Sequence, residues 1–138
     1  MKSPQFLKST VLLAGLSTAL AIGLGGAQAQ AAPDGHKLFV ENCSACHQVT
    51  GKGIPGAFPA LAGDKFVLTP KDDVLIRTVL KGRAGMPAFA DNLDDNTLAA
   101  ILTYVRSAWG NKAPAVKPAS VTRIRKSVSS GNGSPVHN

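Results

Sequence analysis

The pentapeptide CSACH at residues 43–47 constrains this 138-residue chain most, because it contains the only two cysteines, Cys43 and Cys46. A structural zinc ion would need two more ligands at a suitable spacing. His36 lies too close in sequence and His137 lies near the C-terminus. A redox pair of the thioredoxin type is expected beside a β-strand, and no alternating strand pattern precedes the motif. A disulfide between the two cysteines remains open in an oxidising compartment.

The histidine that directly follows the second cysteine favours another use, covalent attachment of one haem by both thiols. Cysteines three positions apart on a helical turn face the same side. Both can therefore add to the two vinyl groups of one porphyrin, and His47 then lies under the iron. The motif predicts haem c as the cofactor, bound by Cys43, Cys46 and His47.

A second iron ligand is predicted in the segment GRAGMPAF, residues 82–89. Methionine ordinarily fills gaps in a core, but Met86 is the only methionine besides Met1, and it lies in a loop-forming stretch. Gly82 and Gly85 would let the backbone approach a flat ligand. A thioether is a suitable axial ligand of haem iron, and a Met/His pair raises the reduction potential. We therefore expect His47 and Met86 as the two metal ligands.

The first 31 residues have the pattern of a secretory signal peptide. Lys2 and Lys8 precede the uncharged run TVLLAGLSTALAIGLGGA, and two overlapping AQA sequences predict cleavage after Ala29 or Ala31. Retention as a membrane anchor is the alternative. The pattern predicts a periplasmic protein, with membrane association possible but weak.

The net positive charge of the chain comes from residues outside its central part. Eight basic and all eight acidic residues lie between residues 32 and 111, whereas the remaining basic residues lie before and after it. The central part therefore has no basic face of the kind that binds nucleic acid, and we expect no nucleic-acid partner.

We predict that residues 32–111 form one all-α domain of three or four helices. The first expected helix begins near Asp34. The second begins at Thr69 and ends at Gly82, and the third begins at Asp94 or Asp95 and ends at Gly110. The glycine- and proline-rich residues 48–69 are expected to form an ordered loop. Residues 112–138, with prolines and a Ser/Gly-rich end, are predicted to be a flexible basic tail.

Four segments, in order, resemble the class I c-type cytochromes. They are GHKLFVENCSACH at 35–47, FPALAG at 58–63, GMPAF at 85–89 and ILTYVRSAW at 101–109. The resemblance implies a small cytochrome c fold wrapped around one covalently bound haem. It also implies that the carbonyl of Pro59 accepts a hydrogen bond from His47, and that Gly35 and Phe39 meet Tyr104 where the first and last helices cross.

The same resemblance implies a protein that carries single electrons and is not itself an enzyme. Its partners would be redox proteins such as a dehydrogenase, a reductase or a terminal oxidase. Phe58 and Phe89 would either pack on the porphyrin or form an apolar surface around its exposed edge.

Three other functions stay open from the sequence. The chain could be a dedicated cytochrome c subunit of a periplasmic dehydrogenase or reductase. It could also be an enzyme or gas sensor with an open haem, or an exported thiol-disulfide protein.

Overall fold

The structure, a computed structural model, describes residues 31–131, so the predicted signal peptide lies almost wholly outside the described residues. Within them the chain is helical and contains no β-strand, which confirms the all-α prediction. The five helices are α1 (Gly35–Asn42), α2 (Ser44–His47), α3 (Asp73–Lys81), α4 (Asp95–Ser107) and α5 (Pro118–Ser129). None of these helices is both long enough and apolar enough to cross a membrane.

The starts of α1 and α4 are set by aspartates, as the sequence predicts. The Asp34 carboxylate accepts hydrogen bonds from the first backbone N–H groups of α1, at 3.0 and 3.1 Å. The Asp94 carboxylate does the same for α4, at 2.8 and 3.0 Å. Each cap satisfies donors that have no partner inside the helix, so both boundaries follow from local sequence.

The start of α3 differs from the prediction, because the helix begins at Asp73 and not after Thr69. A residue at the N-cap must offer its carbonyl to the first turn of the helix. The Thr69 carbonyl instead accepts a hydrogen bond of 3.0 Å from Arg106 of α4. Asp72 takes over the N-cap, and its carbonyl accepts from the Ile76 N–H at 2.9 Å.

Helices α1 and α4 cross at Gly35, where the backbones come into close contact. A Cβ at Gly35 would overlap the Ala100 carbonyl oxygen and lie 3.0 Å from the Tyr104 Cβ. Phe39 is fully buried here, with its ring centroid 5.4 Å from that of Tyr104 and 5.2 Å from that of Trp109. The expected crossing of the first and last predicted helices is therefore present, and Trp109 belongs to it as well.

The C-terminal part of the chain is ordered where a flexible tail was predicted, so that prediction is wrong for residues 112–131. Helix α5 packs against α3 and α4, and it buries Val121 and Ile124 almost completely. Burying an aliphatic side chain of this size stabilises a fold by about 1.5–3 kcal/mol. An exposed ion pair of 2.7 Å between Arg123 and Asp73 also joins α5 to α3.

Arg106 is a buried cation that joins α4 to two distant loops, and only 1% of it is exposed. Its guanidinium donates to the carbonyl oxygens of Val67 and Pro114, both at 2.8 Å, as well as to that of Thr69. Hydrogen bonds to a charged group are among the stronger ones in proteins. These bonds fix the segment that leads into α3 and the segment that leads into α5.

Candidate haem-binding site

A cavity of about 470 Å³ lies in the centre of the domain, and all five site residues predicted from the sequence line it. These residues are Cys43, Cys46, His47, Pro59 and Met86. Its walls come from α1 to α4 and the loops between them, and they are mostly apolar. The larger apolar residues that line it are Phe39, Phe58, Leu61, Phe66, Val67, Leu75, Val79, Phe89, Leu93, Leu98, Ile101, Leu102 and Val105. Cavities of this size and character hold cofactors.

The two cysteines lie where the first helix breaks. Cys43 ends α1 and precedes α2, and its carbonyl accepts from the N–H groups of Cys46 and His47 at 3.2 and 3.0 Å. This tight turn brings both thiols to the cavity. Burial, together with the neighbouring Cys46, raises the pKa of the Cys43 thiol to about 11. Such a raised pKa leaves Cys43 as a thiol and not a thiolate at neutral pH, so it is a poor candidate for redox exchange.

The ring of His47 is oriented by Pro59. Its Nδ1 lies 3.0 Å from the Pro59 carbonyl oxygen. A carbonyl can only accept, so Nδ1 must carry the hydrogen. In the neutral ring the lone pair then lies on Nε2, which is the nitrogen available to bind iron. This contact is the one that the family resemblance implies.

Met86 lies in a loop that folds back on itself at the end of α3. The backbone groups of Arg83 and Met86 exchange two hydrogen bonds, of 2.9 and 3.1 Å. Gly82 has φ of 72°, and a Cβ there would lie 2.6 Å from the Met86 carbonyl oxygen. Gly82 is the C-cap of α3, as the sequence predicts, and the backbone of the loop leaves no room for a Cβ there. The sequence interpretation also assigned it to the approach of a ligand.

Phe58 and Phe89 both line the cavity and are half-buried. Both side chains thus lie where they could contact a porphyrin bound in the cavity. Asn111, which the sequence interpretation missed, holds the loop beside Phe58. It is 4% exposed, and its side chain contacts the backbones of Leu61, Gly63 and Val105 at 2.7–3.1 Å.

Two polar residues on the cavity wall, Thr78 and Arg83, were also not predicted from the sequence as part of the site. The Thr78 hydroxyl is buried and has no hydrogen-bond partner among the described residues. Leaving a buried polar atom unpaired costs about 1–3 kcal/mol, so this atom indicates that the cavity holds a ligand with polar groups. Arg83 adds a cation at the same wall, and its guanidinium lies 5.9 Å from the centre of the Phe66 ring. A largely apolar ring that bears carboxylates, such as haem, fits this combination.

The non-haem uses of the cysteine motif have less support from the structure. Within residues 31–131, no three His, Cys, Asp or Glu side chains are grouped so that they could hold a metal ion such as zinc. Cys43 and Cys46 are free thiols.

The helical fold and the cysteine-lined cavity define a small protein built around a covalently bound prosthetic group. A family model described as cytochrome c oxidase, cbb3-type, subunit III matches residues 30–105. Cytochrome c-552 of Thermus thermophilus is 36% identical over 126 residues, which cover 79% of this chain and 84% of that protein. The chain therefore belongs to the c-type cytochrome family.

Other relatives are named as subunits of larger enzymes. The cytochrome c subunit of alcohol dehydrogenase (quinone) from Gluconacetobacter polyoxogenes is 31% identical over 103 residues, 66% of this chain and 22% of that subunit. The cbb3-type cytochrome c oxidase subunit FixP from Bradyrhizobium sp. (strain ORS 278) is 42% identical over 92 residues, 65% of this chain and 32% of that subunit. The chain thus spans a third or less of the length of these two subunits.

Membership of this family gives the chain its cofactor and its general activity. The cofactor is haem c, bound covalently, and the protein transfers electrons and does not itself catalyse a chemical reaction.

Proposed function

We propose that the protein is a periplasmic one-electron carrier in which His47 and Met86 ligate the haem iron. Cys43 and Cys46 form the two thioether bonds. The observation that carries this proposal is that all four side chains line one cavity, although His47 and Met86 lie 39 positions apart in sequence. Residues that far apart reach the same cavity only through the folded arrangement of α1, α2 and the loop after α3.

The residues of the chain then have distinct tasks around the cofactor. Haem c, when bound, supplies a one-electron couple whose potential depends on its axial ligands and its surroundings. The Pro59 carbonyl holds the His47 ring in one tautomer and strengthens its nitrogen as a ligand. The apolar walls exclude water, which favours the less charged, reduced form. If His47 and Met86 hold the iron, they would leave no position on it for a substrate.

The proposed location rests on the N-terminal sequence. The basic start, the uncharged run and the small-residue cleavage pattern of residues 1–31 support export. Export would also bring the two thiols into the compartment where haem is attached. The mature protein would begin at Gln30 or Ala32.

A second candidate function is that of a dedicated electron-transfer subunit of a larger enzyme. The relatives named as subunits of alcohol dehydrogenase (quinone) and of cbb3-type oxidase favour it. We place it second because the relative of which this chain covers 84% is named simply as a cytochrome c-552. A carrier would meet its partners in small, transient contacts, whereas a subunit would remain bound during purification.

The proposal is tested on the full chain, expressed together with a haem-attachment system and purified from the periplasm. We expect the mass of the processed polypeptide plus one haem, colour that survives acid-acetone extraction, and no carbon monoxide binding by the native ferrous protein. Rapid carbon monoxide binding would contradict closed His/Met ligation and favour an open haem. Loss of colour on extraction would contradict attachment by both thiols.

The carrier and the subunit are separated by purification from the native host. We expect the protein to elute alone at the size of a monomer and to be reduced and reoxidised by added redox proteins. Co-elution with a catalytic subunit in constant ratio through several columns would favour the second function.

A further inference from the structure

Residues 82–93, which we call the methionine loop, are bound to α3 through the backbone of Phe89 and Ala90. The backbone pair between Arg83 and Met86 closes the loop near its start. Further along, the Phe89 N–H donates to the Val79 carbonyl at 3.1 Å, and the Ala90 N–H donates to the Leu80 carbonyl at 3.3 Å. These bonds belong to the part of the chain that the family model matches.

The end of the methionine loop is bound by a different element, helix α5. Arg125 donates from Nη1 to the Ala90 carbonyl oxygen, and from Nη2 to the Leu93 carbonyl oxygen at 2.6 Å. Its Nε donates to the Asp95 carboxylate at 2.7 Å. Two nitrogens of the guanidinium are therefore used on the end of the methionine loop, and the third is used on the first residue of α4.

The position of Arg125 is itself well fixed. Its side chain is only 23% exposed, and it projects from a helix that Val121 and Ile124 hold against the core. Thr122, one turn before it, donates to the second oxygen of Asp95 at 2.5 Å. The planar fork of arginine loses little freedom on making several bonds at once, so this contact is well suited to hold a loop.

Helix α5 lies beyond residues 30–105, the part that the family model covers. Its contacts with the methionine loop are thus a property of this chain that the family match does not assign. Ala90 lies four positions after Met86 and is held from two sides, by α3 through its N–H and by Arg125 through its carbonyl. The backbone at Ala90 therefore has a hydrogen-bond partner on each side, only four positions from Met86.

We propose that Arg125 is a positioning residue for Met86, which clamps the end of the methionine loop from α5 and so keeps the thioether on the iron. This inference rests on the proposed ligation by Met86. Arg125 does not itself line the cavity, and it acts only through the backbone of the loop and through Asp95. Removing it makes transient opening of the iron more frequent while both thioether bonds and His47 remain in place.

The test compares three full-length holoproteins with the wild type: Arg125→Met, Arg125→Lys and the control Arg123→Met. Arg123 lies on the same helix and makes no hydrogen bond to the methionine loop. Its substitution removes one exposed ion pair with Asp73. The readouts are the methionine-to-ferric-iron charge-transfer band, the reduction potential, and the rate at which cyanide, the probe, binds the ferric protein at low concentration.

We expect Arg125→Met to bind cyanide on the order of tenfold faster than the wild type, since it loses several charge-assisted bonds. The charge-transfer band should weaken and the potential should fall. In these readouts Arg125→Lys should fall between Arg125→Met and the wild type. An ammonium keeps the charge but lacks the planar arrangement of donors that reaches three separate acceptors. Arg123→Met should match the wild type in all three readouts.

Equal cyanide rates for Arg125→Met and Arg123→Met would overturn the inference, whether both match the wild type or both are raised. If Arg125→Met does not yield folded holoprotein, Arg125→Lys decides: a rate equal to that of the wild type overturns the clamp. A wild-type protein without the charge-transfer band would instead refute ligation by Met86, and the inference would fall with it. The wild-type spectrum therefore separates the two failures.

Discussion

Gly53 lies so close to Pro59 that a Cβ added to it would be 2.5 Å from the Pro59 carbonyl oxygen. That oxygen is the one that accepts the hydrogen bond from His47 Nδ1. The space available at Gly53 is thus tied to the orientation of a proposed iron ligand, although Gly53 does not line the cavity.

We predict that Gly53→Ala displaces the Pro59 carbonyl and weakens its bond to His47. Loss of that bond makes the imidazole a weaker donor to iron, so the reduction potential should rise. The control is Gly56→Ala, which also has a positive φ but has no atom within 4 Å of the added Cβ. Both variants should lose stability through backbone strain, and only Gly53→Ala should shift the potential. Equal potentials in the two variants would contradict the link to His47.

We predict that Met86→Ala retains covalent haem but leaves one axial position of the iron open. The potential should fall, because thioether ligation raises it, and the ferrous protein should bind carbon monoxide. Optical titration and carbon monoxide difference spectra measure the two effects. A variant that keeps the wild-type potential and resists carbon monoxide would show that another group is the ligand.

We predict that Cys46→Ala lowers the yield of stable holoprotein, because only Cys43 remains to form a thioether. Any haem that is retained should be attached by a single bond, which the absorption of the reduced pyridine adduct and the mass of haem-bearing peptides report. Ser44→Ala, next to the same motif, keeps both thiols and serves as the control. A wild-type yield of doubly attached haem from Cys46→Ala would be incompatible with our assignment.

We predict that Ile124→Ala lowers the free energy of unfolding by about 2–4 kcal/mol, as expected for a large aliphatic residue removed from a packed site. Ile124 is 2% exposed between α5 and the rest of the core. Val74→Ala, at a position on α3 that is 44% exposed, should change it by less than about 0.5 kcal/mol. Denaturant titration of both holoproteins measures the difference. Similar small effects would mean that residues 118–129 behave as the flexible tail first expected.

We predict that the contribution of Asp95 to stability is lost in acid. Burial of this carboxyl opposes ionisation, as does the nearby Asp94, but hydrogen bonds from Thr122 and Arg125 and the charge of Arg125 outweigh them and lower its pKa. A lowered pKa gives stability that is complete above the unfolded value of about 3.9 and disappears as the pH falls through the folded value. Asp95→Asn should therefore have a lower melting temperature than the wild type at neutral pH, and the gap should narrow as the pH falls below about 3.9. A gap that does not depend on pH would contradict this.

The parts of the fold that the sequence predicts correctly are those determined by neighbouring residues. Asp34 and Asp94 cap their helices through bonds that span two or three positions, so a local pattern is sufficient to find them. The five site residues could be picked out because each belongs to a short segment typical of the family, and they share one cavity. Their proposed roles remain predictions.

The parts that the sequence did not predict depend on distant partners. In α5, Val121, Ile124 and Val128 have helical spacing, but their polar and small neighbours give the segment a composition that resembles a flexible tail. The ion pair that fixes Arg123 spans 50 positions and that of Arg125 spans 30. Thr78 lies on a helix face that is otherwise apolar, and only the folded cavity distinguishes it from an ordinary core residue.

The buried guanidinium of Arg106 affects how cooperatively the domain unfolds. Its three carbonyl acceptors belong to the segment before α3 and the segment before α5. Separating only one of these segments from α4 removes some of these bonds while the other segment still covers the guanidinium, so the cation is left buried with fewer partners. Backbone amides of α3, α4 and α5 should therefore exchange with solvent in a single cooperative step. The C-terminal helix is then an integral part of the folding unit and not an appendage that melts first.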